Sequence, residues 1–485
     1  MFDDKLWESW LEEELKNYEV ELDMKSGRNR RKYLKKGYIH FDPKIWLPSR
    51  KDELKKLLSN PLNITHRAFY PFLKTIVKTP RYRFNEAKGK RALEYKKRPI
   101  CYASHLDSLI YSYYGYCLNE KYQSYIIKNR IDKSVLAYRT DLGKCNIEFA
   151  NEAFELIKRR KKCTAITLDI KGFFDNLDHS ILLENWKKVL GVESLPDDQY
   201  KIYKSLCKYA YVNKNTLLNY LGIDLKKEIP KPKTYIEPTA KNFTILRERN
   251  IIVCNKEKFG IPQGSGISGV LSNIYMIDFD KYMLRQSRKW NFEYFRYCDD
   301  ILIVCDSPKA NLIAHLAYSK IKNFKLQIQV QKEDKISFRK IGKRLCSFDA
   351  RKLNKHRFLS APPHRRNEFS KRLQYLGFEF DGENMFIRSS TMSRYYRRMN
   401  SRIDNTLFAA YGKHANAGKV FTKKLLSRNT HLGRNNFISY GYRSVLERNE
   451  KIKQQLSRHT VNFHKILRRK NALRASKTSQ PTKAL

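Results

Sequence analysis

Apolar and polar positions change period several times along the chain. Between residues 3 and 24, Trp7, Leu11, Leu15, Tyr18 and Leu22 recur at helical spacing, with Glu8, Glu12, Glu13, Glu14, Glu19 and Glu21 largely on the remaining surface. This predicts an amphipathic helix with an acidic outer face, whose apolar stripe packs on its own chain or on a second copy. The basic stretch Lys25 to Lys36, with Arg28, Arg30, Arg31 and Lys32, reads as a solvated linker or a phosphate contact. From about Arg81 to Phe380, short β-rich runs alternate with helical stretches, the pattern of a mixed α/β domain. Residues 195 to 259 are less regular and contain the Pro-rich turn Ile229-Pro230-Lys231-Pro232-Lys233, which predicts an insertion or a long connection. After about residue 386 the pattern turns helical and basic, beginning with Ser393 to Tyr411, and from Lys451 onward there are ten Lys or Arg and no acid.

Charge narrows the partners. Lys and Arg number 98 against 49 acids, a net charge of +49 over 485 residues, far more than solubility requires. A polyanion is the natural counterpart, and nucleic acid is the first candidate. An acidic membrane surface is disfavoured, because no run of about 18 apolar residues occurs and no short apolar stretch follows a basic N-terminus. A soluble, cytoplasmic protein is expected. The hydrophobic fraction of 41% with 13% aromatics is that of a folded chain. Nine scattered cysteines with no C-x-x-C pair encode neither a disulfide framework nor a zinc knuckle, and read as small buried apolar residues.

Three segments carry candidate chemistry. In Phe295-Arg296-Tyr297-Cys298-Asp299-Asp300-Ile301-Leu302-Ile303-Val304, two acids interrupt a run suited to a buried strand. Carboxylates in such a setting cost several kcal/mol unless cations or donors meet them. Read as a hairpin, the segment puts both acids at the turn, on one sheet edge. A second strand, Ala165-Ile166-Thr167-Leu168-Asp169, also ends on an acid and runs into Ile170-Lys171-Gly172-Phe173-Phe174-Asp175. Two strands delivering acids to one edge would make an oxygen cage for hard cations, as phosphoryl transfer to a 3′-hydroxyl needs. The third segment, Gly260 to Tyr275, is a glycine-rich turn entering a helix, where backbone can approach a ligand and a helix N-terminus favours phosphate. It lacks the Walker Lys-Ser/Thr pair and the dinucleotide glycine spacing.

In order, D-I-K-G-F-F-D, G-I-P-Q-G-S-G-I-S and Y-C-D-D closely resemble motifs A, B and C of reverse transcriptases. The resemblance spans roughly residues 90 to 385 and takes in Arg98-Pro99-Ile100 and Ala137-Tyr138-Arg139 in the fingers, Lys335 in motif D, and Tyr375-Leu376-Gly377-Phe378 as primer grip. It implies an α+β right-hand polymerase, with fingers and palm carrying a small antiparallel sheet, followed by an α-helical thumb. The corresponding divisions are 1–85 (N-terminal helical extension), 86–385 (fingers and palm) and 386–485 (basic helical thumb).

The resemblance further implies that Asp169, Asp299, Asp300 and the Ile170 carbonyl bind two Mg2+ ions. Arg98, and with it Lys97, would hold the triphosphate of a dNTP, Gln263 would contact the nucleotide, and Phe174 would lie under the sugar and exclude a 2′-hydroxyl. Phe173 reads as core. Lys335 would protonate pyrophosphate, with Lys332 close by, and Cys298 would shape the turn. An RNA template and a DNA product follow. No Asn-Ala-x-x-His run or Val-Thr-Gly signature of retron enzymes occurs, nor the Ser-Pro-Leu-Leu-Ala-Asn and His/Cys tail of intron maturases. The chain is similar instead to bacterial stand-alone enzymes of the defence-associated, abortive-infection group, which implies phage defence, a structured non-coding RNA and a homo-oligomer. A retron or group II intron-type enzyme, an RNA-dependent RNA polymerase and a catalytically silent RNA-binding scaffold stay open.

Overall fold

The computed structural model describes residues 2–23, 28–34, 38–85, 89–139, 141–223, 240–353, 369–412, 419–445 and 450–478, so the Pro-rich turn lies outside the described residues. The first helix, Asp4–Leu15, is capped by the Asp3 side chain, which accepts from the Leu6 N–H at 3.0 Å. Trp7, Trp10 and Leu11 are buried, and Trp10 Nε1 donates to Ser112 Oγ at 3.1 Å on the long helix His105–Lys128. The stripe is thus covered by its own chain.

This helix is shorter than its periodicity predicts. Tyr18–Asp23 is a strand, β1, antiparallel to β2, Arg28–Tyr33, so the basic stretch is half of a hairpin and not a linker. Tyr18, Val20 and Leu22 alternate with acids, a period of two that coincides with helical spacing at two of its positions. The register sets Glu19 opposite Lys32 and Glu21 opposite Arg30.

The remaining strands are β3 (Phe72–Asn85), β4 (Lys90–Tyr102), β5 (Cys163–Asp169), β6 (Ala210–Asn213), β7 (Ile252–Cys254), β8 (Glu293–Tyr297), β9 (Asp300–Cys305), β10 (Asp334–Ile341), β11 (Arg344–Asp349), β12 (Leu373–Tyr375), β13 (Phe378–Phe380) and β14 (Met385–Ile387). β3 and β4 form a long antiparallel ribbon, and a boundary at residue 85 falls inside it. At the ribbon's base β3 runs parallel to β6, which pairs with β7. The irregular segment after residue 195 therefore supplies two strands of the fingers sheet as well as a connection.

The palm sheet has the order β11-β10-β5-β9-β8 and is antiparallel throughout. Alternation in β9 sends Ile301 and Ile303 into one core, with the helices around His105–Lys128, and Leu302 and Val304 into another. That second core holds Phe154 and Phe380, stacked at 4.6 Å, and Met399 and Ile403 of the helix Ser389–Tyr411. A strand buried on both faces reads as a continuous apolar run, which is why Asp299 and Asp300 stand out beside it. The helical C-terminal region thereby shares its core with the sheet that carries the acids. No helix among the described residues is long and apolar enough to cross a membrane. All nine cysteines are free; six are buried as expected, Cys145 and Cys346 are half-buried and Cys254 is exposed.

Candidate active site

β8 ends at Tyr297 opposite Asp300, leaving Cys298 and Asp299 as a two-residue turn. Cys298 takes a left-handed φ of 58°, unfavourable for a residue with a Cβ, and its neighbours hold it there. Tyr138 Oη donates to its Sγ at 3.5 Å, and Arg296 Nη1 donates to its carbonyl at 3.2 Å. On the adjoining strand Asp169 is the direct partner of Asp300. The Ile170 N–H donates to Asp299 O at 3.2 Å, and the Gln329 N–H to Asp169 O at 2.7 Å. Asp169, Asp299 and Asp300 thus meet at one end of the palm sheet.

Burial dominates the electrostatics of Asp299 and Asp300. Burial, aided by the Asp169 charge, raises the Asp299 carboxyl above its usual range. Asp300 reaches the cleft water, yet burial among the cleft walls, and then the charges of Asp299 and Asp169, push it up to about 7. Lys332 forms an ion pair with Asp169 Oδ2. Among the described residues no three His, Cys, Asp or Glu side chains are grouped so that they could hold a metal ion as they stand. The donor chemistry nonetheless fits a hard divalent cation, because clustered carboxylate oxygens that repel one another are what such an ion relieves.

The acids line a cleft of about 810 Å3 together with Lys97, Arg98, Phe174 and Gln263. Phe173 is buried behind Phe174 at a ring separation of 5.6 Å. An adjoining opening of about 690 Å3 shares Arg98 and the acids, and is lined on its far side by Tyr375, Leu376, Gly377 and Arg388. Leu376 and Gly377, at φ of 44° and 92°, turn β12 into β13, and Asn146 Nδ2 fixes the turn by donating to Leu376 O at 2.9 Å.

The glycine-rich segment packs against its own chain. A Cβ at Gly264 would meet the Cys101 carbonyl oxygen at 2.7 Å, and one at Gly269 would meet the Tyr138 ring at 2.7 Å. The following helix, Ser268–Tyr275, is buried from its first residue, so its N-terminus offers no open phosphate site. Lys335 lines neither opening: its Nζ is held by Glu333 at 3.0 Å and Asn311 at 2.9 Å, because β10 turns it away from the acids. Lys332 occupies the position at the acids. Arg139 likewise faces inward, bound to Asp141 and to the Asp132 carbonyl, whereas Tyr138 lines the cleft.

A family model described as reverse transcriptase (RNA-dependent DNA polymerase) matches residues 96–380. The chain belongs to the reverse transcriptase family. The matched span contains the palm sheet, all three acids and the Leu376-Gly377 turn. No curated protein sequence matches. Among solved structures, a telomerase from Candida albicans in complex with a TWJ fragment of telomeric RNA is 12% identical, over 95% of this chain and 59% of that chain, at a TM-score of 0.38. A telomerase from Candida tropicalis truncated from its C-terminal domain is 11% identical, over 75% of this chain and 62% of that one, at a TM-score of 0.35. The chain spans about three fifths of the length of these telomerases.

One part of the palm is not read from its motifs. Arg296, fully buried, makes a two-pronged ion pair with Asp280, and its Nη1 donates to Asn273 Oδ1 at 3.1 Å. Asn273 Nδ2 donates in turn to Ala137 O at 2.8 Å, and Tyr294 Oη to Asp280 Oδ1 at 2.6 Å. These contacts tie the acid-bearing hairpin to two helices and to the loop that presents Tyr138. The signal was available: an Arg inside an apolar strand demands a buried acid.

Proposed function

We propose that the protein is an active RNA-directed DNA polymerase that adds dNTPs to a 3′-hydroxyl. The observation that carries this reading is Asp169 facing Asp300 across the β5–β9 register, beside Asp299, at the floor of a cleft lined by Lys97 and Arg98. Asp169, Asp299, Asp300 and the Ile170 carbonyl would hold two Mg2+ ions. Such ions supply activation of the attacking hydroxyl and neutralisation of the triphosphate. Arg98 and Lys97 bind and orient the phosphates by charge-assisted contacts. Phe174 presses on the sugar, where a 2′-hydroxyl would collide, and Gln263 contacts the nucleotide. The Tyr375-Leu376-Gly377 turn positions the primer strand at the second opening.

The test is primer extension on an RNA template with Mg2+, comparing wild type with an Asp299→Ala, Asp300→Ala variant. Incorporation of dNTPs that vanishes in the variant is expected. Incorporation of NTPs alone would make the protein an RNA polymerase. No incorporation with any divalent cation would leave a basic RNA-binding scaffold.

A dedicated structured RNA, a cytoplasmic role in phage defence and a homo-oligomer complete the proposal. Their support is the resemblance of the motifs to defence-associated enzymes, together with the basic C-terminal region. Sequencing RNA and DNA that copurify from cells, with phage plating on cells carrying wild type or the Asp299→Ala, Asp300→Ala variant, tests them. Plating efficiency equal in both would remove the defence role.

A further inference from the structure

We propose that His431, His459 and Thr460 form a binding site for a divalent transition-metal ion of the Zn2+ type. The ion staples the turn after the helix Lys423–Asn429 to the start of the helix His459–Thr478. The site lies in the helical C-terminal region and does not depend on the polymerase reading.

His459 is buried. Its Nδ1 lies 2.5 Å from the Leu456 carbonyl oxygen, which can only accept, so Nδ1 carries the hydrogen and Nε2 presents its lone pair. A backbone carbonyl on the far ring nitrogen is how proteins fix the tautomer and the aim of a metal-binding imidazole. Two further atoms with lone pairs converge on Nε2. His431 Nδ1 is 3.3 Å from it and Thr460 Oγ1 is 3.0 Å from it, while Thr460 Oγ1 and His431 Nδ1 are themselves 3.3 Å apart.

The three separations make a nearly equilateral triangle. Ligands held at roughly 2.0–2.1 Å on a tetrahedral ion stand roughly 3.3 Å from one another, so a single ion fits over all three atoms with water as its fourth ligand. A hydrogen-bond chain from His431 through the Thr460 hydroxyl to His459 accounts for two of the contacts and leaves the direct contact between the imidazoles without a hydrogen. A shared cation accounts for all three. Among the described residues no third His, Cys, Asp or Glu joins the group, so the oxygen corner falls to Thr460. Imidazole nitrogens suit Zn2+, Cu2+ or Ni2+, whereas the all-oxygen palm acids suit harder ions.

Both sides of the site are held in place by the fold. Thr430 is buried, its Oγ1 donating to Leu426 O at 2.8 Å, and Asn436 Nδ2 donates to the carbonyls of Thr430 at 2.7 Å and Gly433 at 3.1 Å, which pins the turn that carries His431. His459 follows Leu456 and precedes Phe463, both buried in the core that the C-terminal helices share with the palm sheet. His431 is exposed, which gives an ion its way in. Binding there joins segments 28 residues apart and stabilises the C-terminal helices by mass action.

The experiment uses the full chain, dialysed against a chelator and titrated with Co2+, followed by competition with Zn2+. Four-coordinate Co2+ absorbs visible light strongly, whereas Co2+ on carboxylates and water in a six-coordinate site absorbs weakly, so the palm acids do not mask the result. Wild type is compared with His431→Gln, a change at an exposed position, and with His464→Gln, another exposed histidine, as control. Wild type is expected to show the four-coordinate bands, to lose them to Zn2+, and to gain about 2–4 °C in its thermal midpoint at saturating Zn2+. His431→Gln is expected to keep the metal-free midpoint of wild type, to lack the bands and the Zn2+-dependent shift, and to bind Zn2+ at least about a hundredfold more weakly. His464→Gln and the Asp299→Ala, Asp300→Ala variant are expected to match wild type in all of these. No bands in wild type, bands that persist in His431→Gln, or an equal loss in either control would overturn the site.

Discussion

Arg296 meets Asp280 through two parallel contacts, Nε to Oδ1 at 2.8 Å and Nη2 to Oδ2 at 2.6 Å, with neither side chain exposed. Removing one partner leaves the other charge stranded in the core. Asp280→Asn and Arg296→Met are each expected to destabilise by about 3–5 kcal/mol, and the pair Arg296→Met/Asp280→Leu by clearly less than their sum. Urea denaturation midpoints of the three variants decide this. In the double variant the Cys298 carbonyl also loses its donor, so primer extension is expected to stay impaired where stability recovers.

Lys332 competes with any cation for Asp169. Lys332→Ala is expected to lower the apparent dissociation constant for Mn2+ or Mg2+ several-fold, measured by titration calorimetry, whereas Lys335→Ala, tied to Glu333 and Asn311, is expected to leave it unchanged. Equal effects of the two substitutions would contradict the placement of Lys332.

Phe174 lines the cleft beside Asp169, with its backbone carbonyl accepting from the Ile261 N–H at 3.0 Å. Phe174→Ala is expected to raise NTP over dNTP incorporation at least about tenfold by removing the surface a 2′-hydroxyl strikes. Single-nucleotide extension with matched NTP and dNTP pairs measures it, and an unchanged ratio would refute the role.

His40 is buried, its Nδ1 accepting from the Phe41 N–H at 2.8 Å while Nε2 bonds the Tyr102 carbonyl at 3.2 Å. Burial lowers its pKa from 6.5 to about 4, so the unfolded chain takes up the proton first. Its contribution to stability is full above pH 6.5 and is lost as pH falls toward 4, by up to about 3 kcal/mol. Chemical denaturation at pH 7 and pH 4.5 is expected to show a smaller drop for His40→Gln than for wild type.

The acids are legible because charge breaks an apolar strand, and the glycine-rich segment because its glycines cluster before a helix; the Leu376-Gly377 turn was legible only through the resemblance of Tyr375-Leu376-Gly377-Phe378 to a family motif. What stayed hidden is set by partners far away in sequence. Nothing local in Ala210–Asn213 says that it pairs with Phe72–Lys74, and nothing in Arg28–Tyr33 names Tyr18–Asp23 as its mate. Lys332 and Lys335 differ only in which way a three-residue step points them, a distinction that needs the register of β10. Arg296 was readable in principle, since a cation there requires Asp280.

The parallel pairing of β3 with β6 bears on how the chain is made. On the ribosome the N-terminal helix finds its cover as soon as His105–Lys128 emerges, but the edge at Phe72, Leu73 and Lys74 stays bare until residues 210–213 have been translated. Nascent fragments that stop short of that point are expected to carry an open strand edge, which the co-expressed remainder of the chain is expected to cover.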